Sequence, residues 1–460
     1  MVGKMSMNEQ IELVKRDSRR RRRRKTQIIS CLIAVVIVLL VLTGLAVGGI
    51  YGVNYWNLQQ EKKAQLSLEE EQLKEQLEQA QLEQEQLEQE RLKQELLDSQ
   101  HAEEEEVSVL NQPLEDLITS HLADMALEDK IAGLFMVTPE ALTGVGTAVA
   151  AGNATKEALL EYSVGGVIYF AKNIKSQTQL KEMIQTTNSY SKYPLFIGVD
   201  EEGGTVSRLA NANLGIEKTD PMATIGETED ITIAKEAGTS IGTYLAEYGF
   251  NVNFAPVADV TTVEDNPIGN RSFGSDPIVV SEMVTSYISG LQSVGVSGAV
   301  KHFPGHGNTT QDSHDEMATT DKTLEEMKSL EFIPFVSAIQ GGVDFVMVGH
   351  ISAPNIIGDN TPSSVSSMMI NEVLRNQLEY DGIVITDALN MKAITSQYNS
   401  AEAAVLTIQA GADMILMPDN FQMAYYGVLE AVENGKITEE RIEESLRRIY
   451  RVKYAEVLED

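Results

Sequence analysis

Apolar positions follow three different patterns along this chain. From 28 to 50 the run IISCLIAVVIVLLVLTGLAVGGI carries no charged side chain. A helix of that length, at about 1.5 Å per residue, reaches the roughly 30 Å of a bilayer's hydrocarbon core. It is apolar all round, whereas a helix on the surface of a soluble domain keeps a polar face, so the pattern predicts a membrane-spanning helix. Before it stand Lys4, Lys15, Arg16, the arginines 19–24 and Lys25, opposed only by Glu9, Glu12 and Asp17. The positive-inside rule then makes 1–27 a basic cytoplasmic segment and places the rest of the chain outside the cell. Thr43, Gly44, Ala46, Gly48 and Gly49 also suit a signal-peptide cleavage region, but the run is long for that, and an uncleaved anchor is expected. Cys31 opens the apolar run instead of following it, which is the wrong place for a lipoprotein cysteine.

Residues 51–113 are rich in Glu, Gln and Leu and favour helix by composition. A coiled coil would need a leucine seam. The leucines at 73, 77, 82, 87, 92 and 96 instead include steps of five, each of which turns about 140° around a helix and scatters the side chains. The reading is a solvated spacer, helical or partly disordered, with self-association through it as the alternative.

From 114 to 460 the pattern changes again, to short apolar runs separated by stretches of helical spacing. The runs are 131–137, 164–170, 194–200, 251–259, 298–303, 343–350, 382–388 and 412–418; helical spacing appears at 179–187, 233–248, 278–294 and 324–340. Eight buried strands alternating with helices predict an α/β fold of the (β/α)8 TIM-barrel type. Asp200, Asp259, Lys301, His302, His350 and Asp387 fall where apolar runs stop, and a barrel gathers those ends on one face.

Charge narrows the options. The 460 residues hold 36 Lys and Arg against 68 Asp and Glu, and outside 1–27 the balance is 26 bases to 65 acids. Nucleic acid is not the expected partner. One cysteine rules out a disulfide framework.

The densest chemistry is KHFPGHGNTTQDSH, 301–314, with three of the six histidines. His302 and His306 have i,i+4 spacing, but Pro304 and Gly305 between them forbid the helix that would align both imidazoles, so no metal site is expected. Lys301 and His302 at a strand end can reach substrate hydroxyls. Asp312 can orient His314 and favour its protonated form, although the tripeptide alone also reads as a surface turn. Asp387, closing GIVITD, is a carboxylate able to attack an anomeric carbon, or else a cap for the helix after it. GVDEEGGTVSRL (198–209) and NPIGNRSFGSDP (266–277) each pair a glycine turn with an arginine. Asp200 can grip sugar hydroxyls, and Arg208 and Arg271 can bind ring substituents or steady the acids.

GVDEEGG, NFAPVAD, IGNRSFG, KHFPGHGNTTQDSH, VMVGHI and ITDALNM, in this order over 114–460, resemble glycoside hydrolase family 3, specifically its single-domain β-N-acetylglucosaminidase branch. The resemblance implies a barrel, neither cofactor nor metal, and retaining hydrolysis through a glycosyl-enzyme intermediate. Carried onto this chain, Asp387 is the nucleophile, His314 assisted by Asp312 is the acid and base, and Asp200, Arg208, Arg271, Lys301 and His302 hold the terminal sugar. The D-S-H element separates this branch from β-glucosidases that recruit a glutamate from a second domain. With the anchor at 28–50, the expectation is a cell-membrane enzyme, facing outward, that takes terminal N-acetylglucosamine from peptidoglycan fragments. The alternatives are a β-glucosidase, a phosphorylase, and a silent glycan-binding scaffold of the cell envelope.

Overall fold

The computed structural model describes residues 112–311 and 317–455, with the isolated positions 30, 32–37, 74, 89, 91, 93 and 94. The chain divides into two units, Met1–Gln112 and Pro113–Asp460. In the first, positions 30 and 32–37 are helical and exposed. Among the described residues no helix is long and apolar enough to cross a membrane. The basic segment 1–27 lies outside the described residues, as do most of the span expected at 28–50 and of the spacer expected at 51–113.

The second unit is built on eight parallel strands: β1 Phe135–Val137, β2 Gly166–Ile168, β3 Phe196–Val199, β4 Val252–Asn253, β5 Ser297–Phe303, β6 Phe345–Val348, β7 Ile383–Thr386 and β8 Ile415–Leu416. Each pairs with its neighbour in sequence, and β8 returns to β1. The ring is completed by a parallel bridge, Ile385↔Met414, and by the Asp413 N–H donating to the Val384 carbonyl at 2.8 Å. Seven of the eight expected runs contain their strand, and β5 begins one residue ahead of its run. All are buried on both faces, which is why they read as unbroken apolar stretches.

Most strands are shorter than their runs, and β4 shows the reason. Pro256 has no N–H to give a ladder, so regular pairing stops at Asn253 and resumes only as an isolated bridge, Val257↔Lys301. The helices start where side chains cap them. Asp276 accepts from the Ile278 N–H, with Pro277 in the first turn of Pro277–Gln292, and Ser176 and Gln179 form a reciprocal cap on Gln177–Tyr190. The single helix expected over 324–340 is two, Leu324–Lys328 and Phe332–Gln340. Pro334 accounts for the break, because its ring would collide with the Leu330 carbonyl in a continuous helix but is tolerated in a first turn.

At the amino ends of the strands, the carboxyl-terminal helix Glu439–Tyr454 closes the base of the barrel. Lys453 Nζ donates to the carbonyls of Gly165 and Pro194, just before β2 and β3. The helix over 113–123 packs there too. Arg451 pairs with Glu115, Arg447 donates to Thr119, and the His121 ring lies 4.6 Å from that of Tyr450. Nearby, Asp413 is fully buried and bound by Arg375, Arg448, the Ser445 hydroxyl and the Val384 N–H.

Candidate active site

A cleft of about 340 Å³ opens at the carboxyl ends of the strands. Asp200, Arg208, Arg271, Lys301, His302 and Asp387 all line it, so six of the eight residues singled out in the sequence converge. The other two, Asp312 and His314, lie outside the described residues. Ile168, Val206, Met347 and Leu416 supply apolar wall between the polar groups.

Asp200 directly follows β3 and is succeeded by a hairpin, Glu201–Gly203 with Val206–Ser207. Gly203 and Gly204 turn it with φ of +97° and +57°, conformations that L side chains rarely adopt, and a Cβ on Gly204 would stand 2.8 Å from Pro221 Cα. Glu201 is fully buried and fixes the return strand, accepting from the N–H groups of Leu209 and Ala210 at 2.7 and 3.0 Å and from the Tyr244 hydroxyl at 2.8 Å. Arg208 is thereby brought 3.5 Å from Asp200, with its guanidinium 5.6 Å from the centre of the Phe170 ring.

Glu202 is the hub that the sequence did not reveal. It lies two residues beyond Asp200 and is buried, with Arg271 donating to it twice at 2.8 Å and Lys301 Nζ at 2.6 Å. Lys301 also reaches Asp200 at 3.1 Å. Of the two roles open to Arg271, the structure supplies the steadying of an acid. Burial alone would raise the Glu202 carboxyl, but the Lys301 and Arg271 cations outweigh it and hold it at about 2. Burial would likewise lower Lys301, and the Glu202 and Asp200 carboxylates raise it instead.

These signs give a pH test. A carboxyl depressed from its ordinary 4.5 to about 2 stabilises the fold fully above 4.5, and loses that contribution as pH falls through 2. Glu202→Gln should therefore lower the denaturant midpoint at pH 7, and its deficit against the wild type should shrink between pH 4.5 and pH 2. A deficit unchanged over that interval would contradict the ion-pair assignment.

Asp387 follows β7 and is not a helix cap. The N–H groups of Leu389 and Asn390 bond to the carbonyls of Leu416 and Met417 at the end of β8, so the next helix begins only at Lys392. One carboxylate oxygen accepts from the Ala388 N–H at 2.7 Å. Burial would raise this carboxyl, but His350, His302, the Ala388 N–H and Lys301 together hold it below the ordinary value. His350 braces the adjoining backbone. Its Nε2 is 2.9 Å from the Ala388 carbonyl, an acceptor, so that nitrogen donates; Nδ1 is 2.7 Å from the Ser364 hydroxyl.

The loop after β5 is tied to the 266–277 segment. Asn266 donates to the carbonyls of His306 and Thr309 at 2.9 and 2.7 Å. Gly307 passes so close to the end of β4 that a Cβ would meet the Val260 carbonyl oxygen at 2.1 Å. His306 is buried, its imidazole pushed below the ordinary value by that burial, and its Nδ1 lies 2.6 Å from the Thr309 hydroxyl. Among the described residues no group of three or more His, Cys, Asp or Glu is placed to hold a metal ion. Besides Glu202, sequence reasoning left Asp259 and His350 without a role, although it placed both at strand ends.

Residues 126–452 match the family model described as the glycosyl hydrolase family 3 N-terminal domain. The chain is similar to beta-hexosaminidase A of Pseudoalteromonas piscicida, 32% identical over 65% of this chain and 54% of that protein. It is 35% identical to a beta-hexosaminidase of Nitrosomonas eutropha over 55% of this chain and 73% of that one. Among solved structures, a glycoside hydrolase family 3 beta-N-acetylglucosaminidase from a Paenibacillus species superposes with a TM-score of 0.69 at 36% identity, covering 73% of this chain and 64% of that one. The chain thus spans little more than half of the Pseudoalteromonas relative and less than two thirds of the Paenibacillus structure.

Proposed function

This chain belongs to glycosyl hydrolase family 3, and from that premise we propose that it is a retaining β-N-acetylhexosaminidase that releases terminal β-linked N-acetylglucosamine. The observation that carries the reading is the placing of Asp387, held ionised, in the same small cleft as Asp200, Lys301 and His302. At about 340 Å³ the cleft is at the lower end of small-molecule sites, a size suited to one sugar residue. Asp387 attacks the anomeric carbon, the bond to the leaving oxygen breaks as His314 protonates it, and water then cleaves the ester with His314 as base. Asp312 orients that imidazole. Asp200, Arg208, Lys301 and His302 hold the hydroxyls of the terminal sugar, with Arg271 beside them steadying Glu202.

The 4-nitrophenyl glycosides test the reading. 4-Nitrophenol should leave the N-acetyl-β-glucosaminide faster than the plain β-glucoside. Preference for the plain glucoside would make the protein a β-glucosidase, turnover that requires inorganic phosphate a phosphorylase, and binding without product a scaffold. His314→Ala should slow hydrolysis by roughly 10²–10⁴-fold, least for good leaving groups. Undiminished turnover of a poor leaving group would remove His314 from the acid role.

The natural substrate in this reading is a peptidoglycan fragment met outside the cell, with 28–50 as the anchor, 1–27 in the cytoplasm and 51–113 as spacer. Its support is the charge-free run behind a basic flank. Proteolysis of intact cells from outside should remove the catalytic unit, and protection until lysis would refute this topology.

A further inference from the structure

Asp259 lies behind the cleft, and the chemistry above gives it no task. Its side chain is fully buried at the end of the β4 run. Its carboxylate accepts from the His306 N–H at 2.6 Å and from the His302 N–H at 3.3 Å, and stands 2.7 Å from His302 Nδ1. Two backbone N–H groups already donate to this carboxylate, which makes it the acceptor at this junction. An ionised carboxylate only accepts hydrogen bonds, so the proton between the two groups belongs to Nδ1. The ring has little room to turn. It is crossed edge-on by His306 at 6.1 Å, and Gly349 packs so closely that a Cβ there would be 3.2 Å from His302 Cβ. His302 is 7% exposed and lines the cleft, and among the described residues nothing bonds to Nε2, the ring nitrogen that can meet a ligand.

We propose that Asp259 is a positioning residue that holds His302 as the Nδ1–H tautomer and offers Nε2 as acceptor to one hydroxyl of the terminal sugar. The ligand's identity rests on the proposed function; the tautomer does not. A neutral ring with both nitrogens uncommitted would bind either a donor or an acceptor, whereas this one selects a hydroxyl that donates. The contact therefore discriminates between sugars by the presence of that hydroxyl.

Two measurements test the assignment. In the ¹⁵N-histidine-labelled wild type, the His302 ring signals, identified by their loss in His302→Ala, should show Nδ1 protonated and Nε2 bare at pH 7. An Nε2–H tautomer or a doubly protonated ring overturns the proposal. Asp259→Asn presents an amide that can donate to Nδ1 and move the proton to Nε2. It should lower kcat/KM on the 4-nitrophenyl N-acetyl-β-glucosaminide by about tenfold or more. On one of the 3-, 4- and 6-deoxy analogues that loss should vanish, and adding Asp259→Asn to His302→Ala should cost nothing further. Equal losses on all analogues, or losses that multiply in the double variant, overturn it in favour of a purely structural carboxylate. If the wild type hydrolyses none of these glycosides the functional reading fails, and the nitrogen signals still decide the tautomer.

Discussion

Replacing Asp387 with alanine should lower turnover by at least about 10⁴-fold while leaving the fold and most ligand contacts in place. Among the described residues the carboxylate accepts one backbone hydrogen bond, from the Ala388 N–H, and His350 holds that region independently through the Ala388 carbonyl. In the proposed reaction its removal deletes the bond-forming atom and little of the scaffold. The displacement can then no longer be divided into formation and hydrolysis of a glycosyl ester. Small anions such as azide, entering the vacated space, should restore part of the turnover and give a product of opposite anomeric configuration. The assignment is falsified if Asp387→Ala retains wild-type rates, or if a trapped glycosyl adduct maps to another side chain.

The largest loss of stability should come from Asp413→Ala, about 3–5 kcal/mol in urea-induced unfolding. Asp413 is wholly buried where β7 and β8 close the ring. Removing its carboxylate leaves Arg375 and Arg448 without their shared buried anion and the Val384 N–H without its acceptor. Arg448 keeps Asp381, but Arg375 loses its carboxylate partner, and a buried cation without its anion is far costlier than a broken exposed pair. A loss under about 1 kcal/mol would mean that water or a neighbouring acid replaces the carboxylate.

The barrel was legible because parallel strands covered on both faces must be apolar at consecutive positions, and a strand lies at each of the eight runs. Strand ends were less so. Pro256 shortens β4, and Pro334 divides a stretch whose apolar spacing is continuous. The cleft followed from the barrel, since Asp200 and Asp387 stand where strands stop and Lys301 and His302 are among the last residues of β5. Partnerships across the barrel did not follow. Glu202 looks like one acid in a doubled pair until Arg271, 69 residues away, is seen to grip it, and Asp259 meets His302 across 43 residues. The cap reading of Asp387 failed for a similar reason, because β8 claims the backbone that would have begun the helix.

The helix over 113–123 meets Glu439–Tyr454 at the base of the barrel, the end opposite the cleft. Residue 113 thus marks the end of the barrel away from the cleft. Beads or surfaces coupled through that end should capture the enzyme with its entrance turned toward the solution, and its Michaelis constant for a small glycoside should match that of the free protein.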